Sequence, residues 1–262
     1  MRFISFTSGS CGNCCCLETE DGMLLVDAGA SMRKVRRLMR DAGLDMGRLD
    51  AILVTHEHLD HIRFLGTYCK YLRPSVCAPR KLHGVLAAHT FTKDHIASCR
   101  NVLDADVWNR VGSFEIKWFE VPHDAAQTVG YAVRAGGHTV VIMTDLEHVT
   151  PEAFALAGEA DTVIIESNYD LEMLQNGPYT PQLKRRILEE GHLSNDACAD
   201  AIRRIWHPGL RNLFLCHLSG NNNTPRKAFD SAAAALESIG VEKGSVHLRT
   251  LDRGAASPLI TL

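Results

Sequence analysis

The stretch Thr55-His56-Glu57-His58-Leu59-Asp60-His61 follows the apolar run Ala51-Ile52-Leu53-Val54 and carries three imidazoles and two carboxylates in six residues. Imidazole and carboxylate groups are ligands for ions such as Zn, Mn and Fe. Where a strand passes into a loop and the start of a helix, His56 and His58 can point to one side and Asp60 and His61 to the other. The stretch therefore predicts ligands for two divalent ions that lie close together.

Three later segments offer further ligands. His123 stands in Val121-Pro122-His123-Asp124, Asp145 ends Val141-Ile142-Met143-Thr144-Asp145, and His217 ends Phe214-Leu215-Cys216-His217. Each follows an apolar run, so we expect each side chain at the end of a strand and at the same edge of a sheet. One such histidine alone is typical of a protein core, whereas this order of residues after the first stretch favours a metal site.

The composition is that of a globular protein. The chain has 262 residues, of which 45% are hydrophobic and 23% charged, which excludes a mainly disordered or fibrous chain and predicts one domain over residues 1–262. The formal net charge of -3 excludes an overall basic field. A binding site for a polyanion therefore has to be local.

The sequence shows neither a membrane span nor a secretory signal. It has no apolar stretch of the roughly 18 residues that a membrane span needs. The nine cysteines form no spaced framework, and Cys14, Cys15 and Cys16 are consecutive, which favours reduced thiols. These observations predict a cytoplasmic protein without a membrane partner and leave its oligomeric state open.

Apolar runs and amphipathic segments predict a layered α/β fold. The predicted strands are Arg2–Phe6, Met23–Val26, Ala51–Thr55, Thr139–Thr144, Thr162–Glu166 and Leu213–Cys216. The predicted helices are Met32–Ala42, Leu82–Ala88, Pro151–Ala157, Pro181–Glu190, Asn195–Trp206 and Pro225–Ser238. Strands come first in runs and then alternate with helices, which favours layers of sheet and helix in one unit.

The segment Gly191-His192-Leu193-Ser194-Asn195 supplies a histidine beyond the metal ligands proposed above. Ser194 is a typical N-cap, and a free imidazole beside the amides of a helix start suits a phosphate oxygen. We therefore predict His192 as a catalytic proton donor. The alternative is a capping loop with a solvated histidine.

Several polar residues near these segments are predicted to bind substrate. Lys184 opens the basic run Lys184-Arg185-Arg186, which provides local positive charge or only a solvated helix face. Asparagines after His217 could line an anion pocket, although asparagine is also common in turns. The predicted substrate ligands are Lys184, Ser194, Asn195, Ser219, Asn222 and Asn223.

Together these segments resemble the YycJ/WalJ-like exonucleases of the metallo-β-lactamase fold, over nearly the whole chain. Further matching segments are Thr7-Ser8-Gly9-Ser10-Cys11-Gly12-Asn13, Val26-Asp27-Ala28-Gly29, Glu166-Ser167-Asn168-Tyr169-Asp170, Gly177-Pro178-Tyr179, Leu183-Lys184-Arg185-Arg186-Ile187 and Asn222-Asn223-Thr224-Pro225. The resemblance implies a single α/β domain with four layers, helix-sheet-sheet-helix. Tyr169 and Phe64 depart from the family pattern, which has histidine and glycine there, and both bear on the shape of the substrate mouth.

The resemblance also implies a division of the metal ligands. His56, His58 and His123 would hold one ion. Asp60, His61 and His217 would hold the other, and Asp145 would bridge the two.

The implied function is that of a nuclease that uses two divalent ions, Zn or Mn, to activate a hydroxide and cleaves DNA ends in the 5′ to 3′ direction. Asp60 and His192 would be its catalytic residues. One alternative is a hydrolase of a small cyclic phosphodiester, or of another small ester or thioester, on the same fold. The other is a regulatory protein that binds metal or nucleotide without catalysis.

Overall fold

Two β-sheets face each other at the centre of the structure, a computed structural model that describes residues 1–262 apart from the side chain of Glu190. The described strands of the first sheet are β1 (Arg2–Thr7), β2 (Cys14–Glu18), β3 (Met23–Val26), β4 (Leu49–Leu53), β5 (Ser75–Ala78), β6 (Arg100–Val102) and β14 (Ile260–Thr261). Those of the second sheet are β7 (Asn109–Val111), β8 (Phe114–Glu120), β9 (Val129–Ala135), β10 (His138–Met143), β11 (Thr162–Glu166), β12 (Asn212–Cys216) and β13 (His247–Thr250).

The two sheets share one plan, an antiparallel half followed by a parallel half. The first sheet has the order β14-β1-β2-β3-β4-β5-β6 and is parallel from β3 to β6. The second has the order β13-β12-β11-β10-β9-β8-β7 and is parallel from β10 to β13. The carboxyl ends of parallel strands meet at one edge of each sheet, so the loops that follow β3, β4, β10, β11 and β12 gather there.

Helices cover the outer face of each sheet. The helices that follow strands of the first sheet are α1 (Met32–Asp41), α2 (Leu59–Ile62), α3 (Leu65–Leu72) and α4 (Arg80–Ala88). Those on the side of the second sheet are α5 (Pro151–Ala157), α6 (Leu171–Asn176), α7 (Pro181–Arg186), α8 (Asn195–Ile205) and α9 (Pro225–Ser238). A π-helical turn over Ile187–Gly191 continues α7.

Strand alternation divides the apolar side chains among the layers, because successive residues of a strand face opposite sides of the sheet. In β4, Leu53 packs between the sheets, whereas Ile52 packs under the helices of the first sheet. In β12, Phe214 packs between the sheets and Leu215 packs under α5, α8 and α9. The rings of Phe3 and Phe214 stack across the sandwich with their centroids 5.2 Å apart.

The structure confirms the predicted four-layer α/β sandwich. Each predicted strand and helix is present, with ends shifted by a few residues, except that the helix predicted to end at Glu190 changes to π-helical geometry after Arg186. Within the described residues, no helix has both the length and the apolar character that a membrane crossing requires.

Candidate active site

The loops at the shared edge of the two sheets carry the proposed metal ligands. The first stretch leaves β4 at Leu53 and forms a short loop before α2, which contains Asp60 and His61. His123 follows β8, Asp145 follows β10 and His217 follows β12. Four loops from two sheets therefore bring these side chains into one cluster, as the strand-end argument predicts.

One group of ligand atoms belongs to His56, His58 and His123, whose nearest donor atoms all lie within 4.8 Å of one another. Nδ1 of His123 donates to the carbonyl of Gly191 at 2.7 Å, so its Nε2 is the atom that faces the cluster. Nδ1 of His56 lies 3.1 Å from the hydroxyl of Thr55. In the described part of the chain, Nε2 of His56 is buried without a hydrogen-bond partner.

A second group consists of Asp60, His61 and His217. Oδ2 of Asp60 lies 3.5 Å from Nε2 of His61 and 3.6 Å from Nε2 of His217. The opposite ring nitrogens are held by carboxylates, since Nδ1 of His61 donates to Asp27 at 2.6 Å and Nδ1 of His217 donates to Glu166 at 2.8 Å. A carboxylate behind an imidazole fixes the ring and its tautomer and makes it a stronger ligand.

Asp145 lies between the two groups. Its Oδ2 is 3.2 Å from Nε2 of His61, and its Oδ1 is 4.0 Å from Nε2 of His123. Its Oδ1 is also 3.3 Å from Nδ1 of His217. One carboxylate thus has an oxygen near each group, which is the position that a bridging ligand needs.

Backbone geometry at the strand ends is specialised. Asp27, Asp145 and His217 have positive φ angles of 63°, 54° and 53°. This left-handed conformation costs a residue other than glycine about 1 kcal/mol or more, and such residues cluster at functional sites. Each of the three turns the chain sharply just beyond a strand.

The loops that follow β1 and β3 fit closely around the first stretch. The amide of Asn13 donates to the carbonyl of Asp60 at 2.7 Å, and the amide of Ala28 donates to the carbonyl of His61 at 2.7 Å. A Cβ atom on Gly29 would lie only 1.6 Å from the same carbonyl oxygen of Asp60. Glycine at this position therefore allows the loop after β3 to touch the start of α2.

The electrostatics of the cluster favour bound cations. Burial alone would raise the pKa of Asp60 and Asp145, but His61 and His217 hold both carboxyl pKa values well below the usual range. Burial opposes the charged form of His217, yet Asp145, Asp60 and Glu166 outweigh it and raise the pKa of His217 to about 10. The buried carboxylates thus demand positive charge nearby, which a divalent ion supplies.

In the first group of ligands, the pKa values of two histidines are lowered, whereas that of His217 in the second group is raised. Burial, together with the neighbouring His61, lowers the pKa of His56 well below its usual value, and burial also lowers the pKa of His123. Neutral imidazoles are the form that binds metal. Buried Nε2 atoms on His56 and His217 lack partners among the described residues, and leaving them unsatisfied is costly. The donor set and these two orphaned atoms therefore fit divalent ions.

His192 lies at the edge of the cluster with 21% of its side chain exposed. Its Nδ1 donates to Oε1 of Glu166 at 2.9 Å, the same oxygen that accepts from His217. Burial works against its charged form, but Glu166 raises the pKa of His192 above the usual value. Asp145, Glu166, His192 and His217 also form a group within ligand reach, so the distances alone allow a ligand as well as a proton donor.

A cavity of about 240 Å³ opens over the cluster. Its wall includes the proposed ligands His58, Asp60, His123, Asp145 and His217, as well as His192. The other polar residues of the wall are Ser10 in the loop after β1, Tyr179 before α7, Arg186 at the end of α7 and Ser219 in the loop after β12. Asp124 also lines it and pairs with Arg186, which partly neutralises that positive charge.

The predicted substrate ligands divide into two sets. Ser219 lines the cavity. Ser194 caps α8, since its hydroxyl accepts from the amide of Ala197 at 3.0 Å, and Lys184 donates to the carbonyl of Gln175 at 2.7 Å. Among the described residues that line the cavity, neither Ser194 nor Lys184 is present.

The three asparagines correct the expectation of an amide-lined anion pocket, because all of them are buried. Asn222 is 0% exposed, and Asn195 and Asn223 are each 5% exposed. Nδ2 of Asn223 donates to Oδ1 of Asn195 at 2.8 Å and to the carbonyls of Ser167 and Asn168. Asn195 and Asn223 thus fasten the loops behind the site, whereas the amide of Asn222 is buried without a hydrogen-bond partner among the described residues.

The two departures from the family pattern also lie away from the cavity wall. Tyr169 is 6% exposed and packs with Leu174 and Ile187 in a small cluster behind the site. Phe64 precedes α3 and packs against the core under the first sheet. Among the described residues, neither side chain lines the mouth over the metal cluster.

Sequence reasoning missed the residues that orient the ligands. Asp27 and Glu166 each end an apolar strand, which is the same signal that identified Asp145 and His217. Asp124 is a third carboxylate that sequence reasoning missed, but its Oδ1 lies 3.2 Å from Nε2 of His123, on the cluster side of the ring, whereas the Gly191 carbonyl orients that ring. The position of Asp124 directly after the predicted ligand His123 was the signal in the sequence that could have identified it.

Comparison with known proteins gives concordant results. The profile of the beta-lactamase superfamily domain matches residues 23–217. The exodeoxyribonuclease WalJ of Streptococcus pneumoniae serotype 2 is 33% identical over 223 residues, which cover 85% of this chain and 83% of that protein. The exodeoxyribonuclease YycJ of Bacillus anthracis is 32% identical over 249 residues, which cover 93% of this chain and 92% of that protein. The metallo-beta-lactamase fold protein YhfI from Bacillus subtilis superposes with a TM-score of 0.68 at 18% identity, over 98% of each chain.

Proposed function

Because the chain belongs to the metallo-β-lactamase-fold exodeoxyribonuclease family of WalJ and YycJ, we propose that it removes nucleotides from DNA ends in the 5′ to 3′ direction with two divalent ions, Zn or Mn. The chain is a hydrolase of that fold, and its fold family binds divalent metal. We propose DNA as the substrate, the 5′ to 3′ direction and the use of two ions. We also propose that residues 1–262 act as one domain, which the pairing of β14 with β1 supports.

One observation carries the proposal: two groups of ligand atoms, with Asp145 between them, each have members in the wall of the same open cavity. A closed structural metal site has no such access, whereas a catalytic site leaves coordination positions free. In the proposed assignment, His56, His58 and His123 hold the first ion, and Asp60, His61 and His217 hold the second. Bound divalent ions would supply a nucleophilic water at neutral pH and neutralise charge on the phosphoryl oxygens.

The chain itself supplies orientation and a proton. Asp27 and Glu166 hold the rings of His61 and His217, so that their Nε2 atoms keep a fixed direction. Glu166 also holds Nδ1 of His192, which leaves Nε2 of His192 as the atom that can reach a substrate. We assign Nε2 of His192 the role of donating a proton to the departing 3′ oxygen.

A hydrolase of a small cyclic phosphodiester or of another small ester or thioester would use the same donors, so the substrate decides between the two functions. A binding protein without catalysis is disfavoured, since every proposed ligand is present. The cytoplasm is the proposed location, as a DNA substrate and nine free thiols are expected there.

The test uses DNA and RNA oligonucleotides labelled at the 5′ or the 3′ end, single- or double-stranded, with enzyme that has been chelated and then reloaded with Zn or Mn. We expect stepwise release of nucleotides from the 5′ end of DNA, with Asp60→Ala inactive. His148→Ala is the matched control, because His148 is 62% exposed and, among the described residues, pairs with Glu147 alone. Cleavage of a small phosphodiester without cleavage of any oligonucleotide would contradict the proposal.

A further inference from the structure

A loop near the end of the chain places Arg253 beside the cavity. The amide of Leu251 donates to the carbonyl of Leu215 at 2.8 Å, and the amide of Ser8 donates to the carbonyl of Asp252 at 3.1 Å. The hydroxyl of Thr7 donates to the carbonyl of Arg253 at 2.7 Å. These bonds fix the segment around Arg253 against β12 and against the end of β1 with the loop that follows it.

The guanidinium of Arg253 occupies a slot between two glycines. A Cβ atom on Gly220 would lie 1.5 Å from Nη1 and 2.5 Å from Cζ of the guanidinium, and one on Gly9 would lie 3.0 Å from Nε. Any larger residue at Gly220 would thus displace the guanidinium. Each glycine is next in sequence to a serine of the cavity wall, Ser10 after Gly9 and Ser219 before Gly220.

Those two serines connect the guanidinium with the cavity. Nη2 of Arg253 donates to the hydroxyl oxygen of Ser10 at 3.2 Å. The hydroxyl oxygen of Ser219 accepts from the amide of Asn222 at 3.2 Å, which leaves its O–H free to donate. The slot therefore offers guanidinium and hydroxyl donors side by side.

Arg253 forms no ion pair in the part of the chain that the structure describes, although the carboxylate of Asp252 lies near enough to interact with it electrostatically. Among the described residues, no carboxylate oxygen lies within 4.0 Å of its guanidinium, and its buried Nε has no hydrogen-bond partner. By contrast, Arg186 on the other side of the cavity pairs with Asp124. A half-buried guanidinium with unused donors is suited to a phosphate, whose oxygens match the planar arrangement of its N–H groups.

We infer that Arg253, with the hydroxyls of Ser10 and Ser219, binds a phosphate of the DNA strand next to the phosphodiester that is cleaved. This inference rests on the proposed nuclease function. The slot would then hold the strand in place while the cleaved group lies over the metal cluster. Because the contact is to a phosphate, it recognises the backbone and not the base sequence.

The experiment compares two small ligands by isothermal titration calorimetry on the metal-loaded enzyme. Thymidine 3′,5′-bisphosphate carries a second phosphate, whereas thymidine 5′-monophosphate does not. We expect the bisphosphate to bind about 10- to 100-fold more tightly, the range for one charged hydrogen-bonded contact. Arg253→Gln should remove this preference and leave the affinity for the monophosphate within about twofold.

Three variants make the result decisive. Gly220→Ala keeps the charge but fills the slot, so the preference should fall as it does in Arg253→Gln. Arg253→Lys should retain part of the preference for the bisphosphate, because lysine keeps the charge without the planar donors. Arg110→Gln removes one exposed arginine of β7 and should keep the full preference. An equal preference in wild type and Arg253→Gln, or an equal loss of affinity for both ligands, would overturn the inference.

The same variants separate this inference from the nuclease proposal. If the wild-type enzyme prefers the bisphosphate through Arg253 but cleaves no DNA, the phosphate subsite is supported and the nuclease proposal fails. If DNA is cleaved and Arg253→Gln has the wild-type dependence on salt, the nuclease proposal stands and the subsite is wrong. If the subsite is correct, the slope of log(kcat/KM) against the logarithm of the salt concentration should be shallower in Arg253→Gln than in the wild type. The difference should be about the contribution of one phosphate contact.

Discussion

At the scale of single residues, the site depends on how each imidazole divides its two nitrogens. His61, His123 and His217 each give Nδ1 to a protein oxygen, which leaves Nε2 for the cluster. The protein oxygens come from two carboxylates and one backbone carbonyl. This division fixes ring orientation before any ion binds, so the cost of ordering the ligands falls on folding and not on metal binding.

Asp60→Ala tests the second group of ligands. Its side chain is 20% exposed and ends at the two Nε2 atoms of His61 and His217, so its removal leaves the core packing intact. We expect metal analysis to fall toward one ion per chain and hydrolysis to be lost. Near-normal turnover with two ions bound would argue against this assignment. His61→Ala should also lose activity but with lower stability, because it leaves the buried Asp27 without its partner.

His192→Ala tests the proposed proton donor. Since Nε2 of His192 is assigned to the leaving oxygen, the variant should keep both ions while turnover of DNA falls by about 100- to 10,000-fold. Metal content by mass spectrometry and single-turnover cleavage give the two readouts, with His148→Ala as the control. Loss of an ion would instead make His192 a ligand, as its distances to Asp145 and His217 permit.

The sequence predicted which side chains converge but not what holds them. Strand-end position identified His123, Asp145 and His217 without any contact information. The roles of Asp27 and Glu166 depend on which ring nitrogen each carboxylate meets, and that follows only from the packing of two sheets. Asn195 failed as a predicted substrate ligand because polarity in sequence does not show burial, and its amide is used inside the loop layer.

At the scale of elements, close contact between loops positions the first stretch. Gly29 lies against the carbonyl of Asp60 at the start of α2, where no side chain fits. The helix is only four residues long and has no side-chain cap, so neighbouring loops must support it. Its place in the site therefore depends on backbone bonds from Asn13 and Ala28.

Gly29→Ala should disturb this contact. Its Cβ would meet backbone atoms, which cannot rotate away, so we expect a loss of about 1–3 kcal/mol in the free energy of unfolding together with weaker metal binding. Urea denaturation and metal titration measure the two effects. Gly84→Ala in α4 is the matched control, since nothing lies within 4 Å of its added Cβ and alanine favours a helix. Equal stability of Gly29→Ala and wild type would refute the close contact.

Strands with buried apolar runs were easier to predict than those at half-buried positions. β11 is buried along its whole length and was predicted with its full range. β8 mixes exposed charged residues with buried apolar ones. Its antiparallel neighbour β9 is buried except at Arg134, but Gly130 and Arg134 interrupt its apolar run. Pairing between such strands is set by their partners, which a single segment does not reveal.

At the scale of the whole molecule, the layers bury nearly all of the thiols. Burial and neighbouring groups raise the pKa of Cys14 and of Cys16 well above the usual value, so both thiols are protonated and unreactive near neutral pH. Cys11 is exposed in the turn before β2. The consecutive cysteines thus serve as small core residues of a strand.

This burial predicts selective thiol chemistry. At pH 8 the native enzyme should react quickly with a disulfide reagent such as DTNB at Cys11 alone, whereas all nine thiols should react in denaturant. Cys11→Ser should abolish the fast reaction and keep the slow ones. Rapid reaction of several thiols in the native enzyme would show that the layers open more easily than their packing indicates.

The origin of the ligands in two sheets has a consequence for folding. His61 lies in α2, after β4 of the first sheet, and His217 follows a strand of the second, so an ion held by both would tie together parts of the chain that are distant in sequence. Such ions would act as removable cross-links. A covalent cross-link over a loop of more than 100 residues restricts the unfolded chain by about 5 kcal/mol in the entropic account. The cell's supply of divalent metal would then set how long this enzyme stays folded as well as how fast it works.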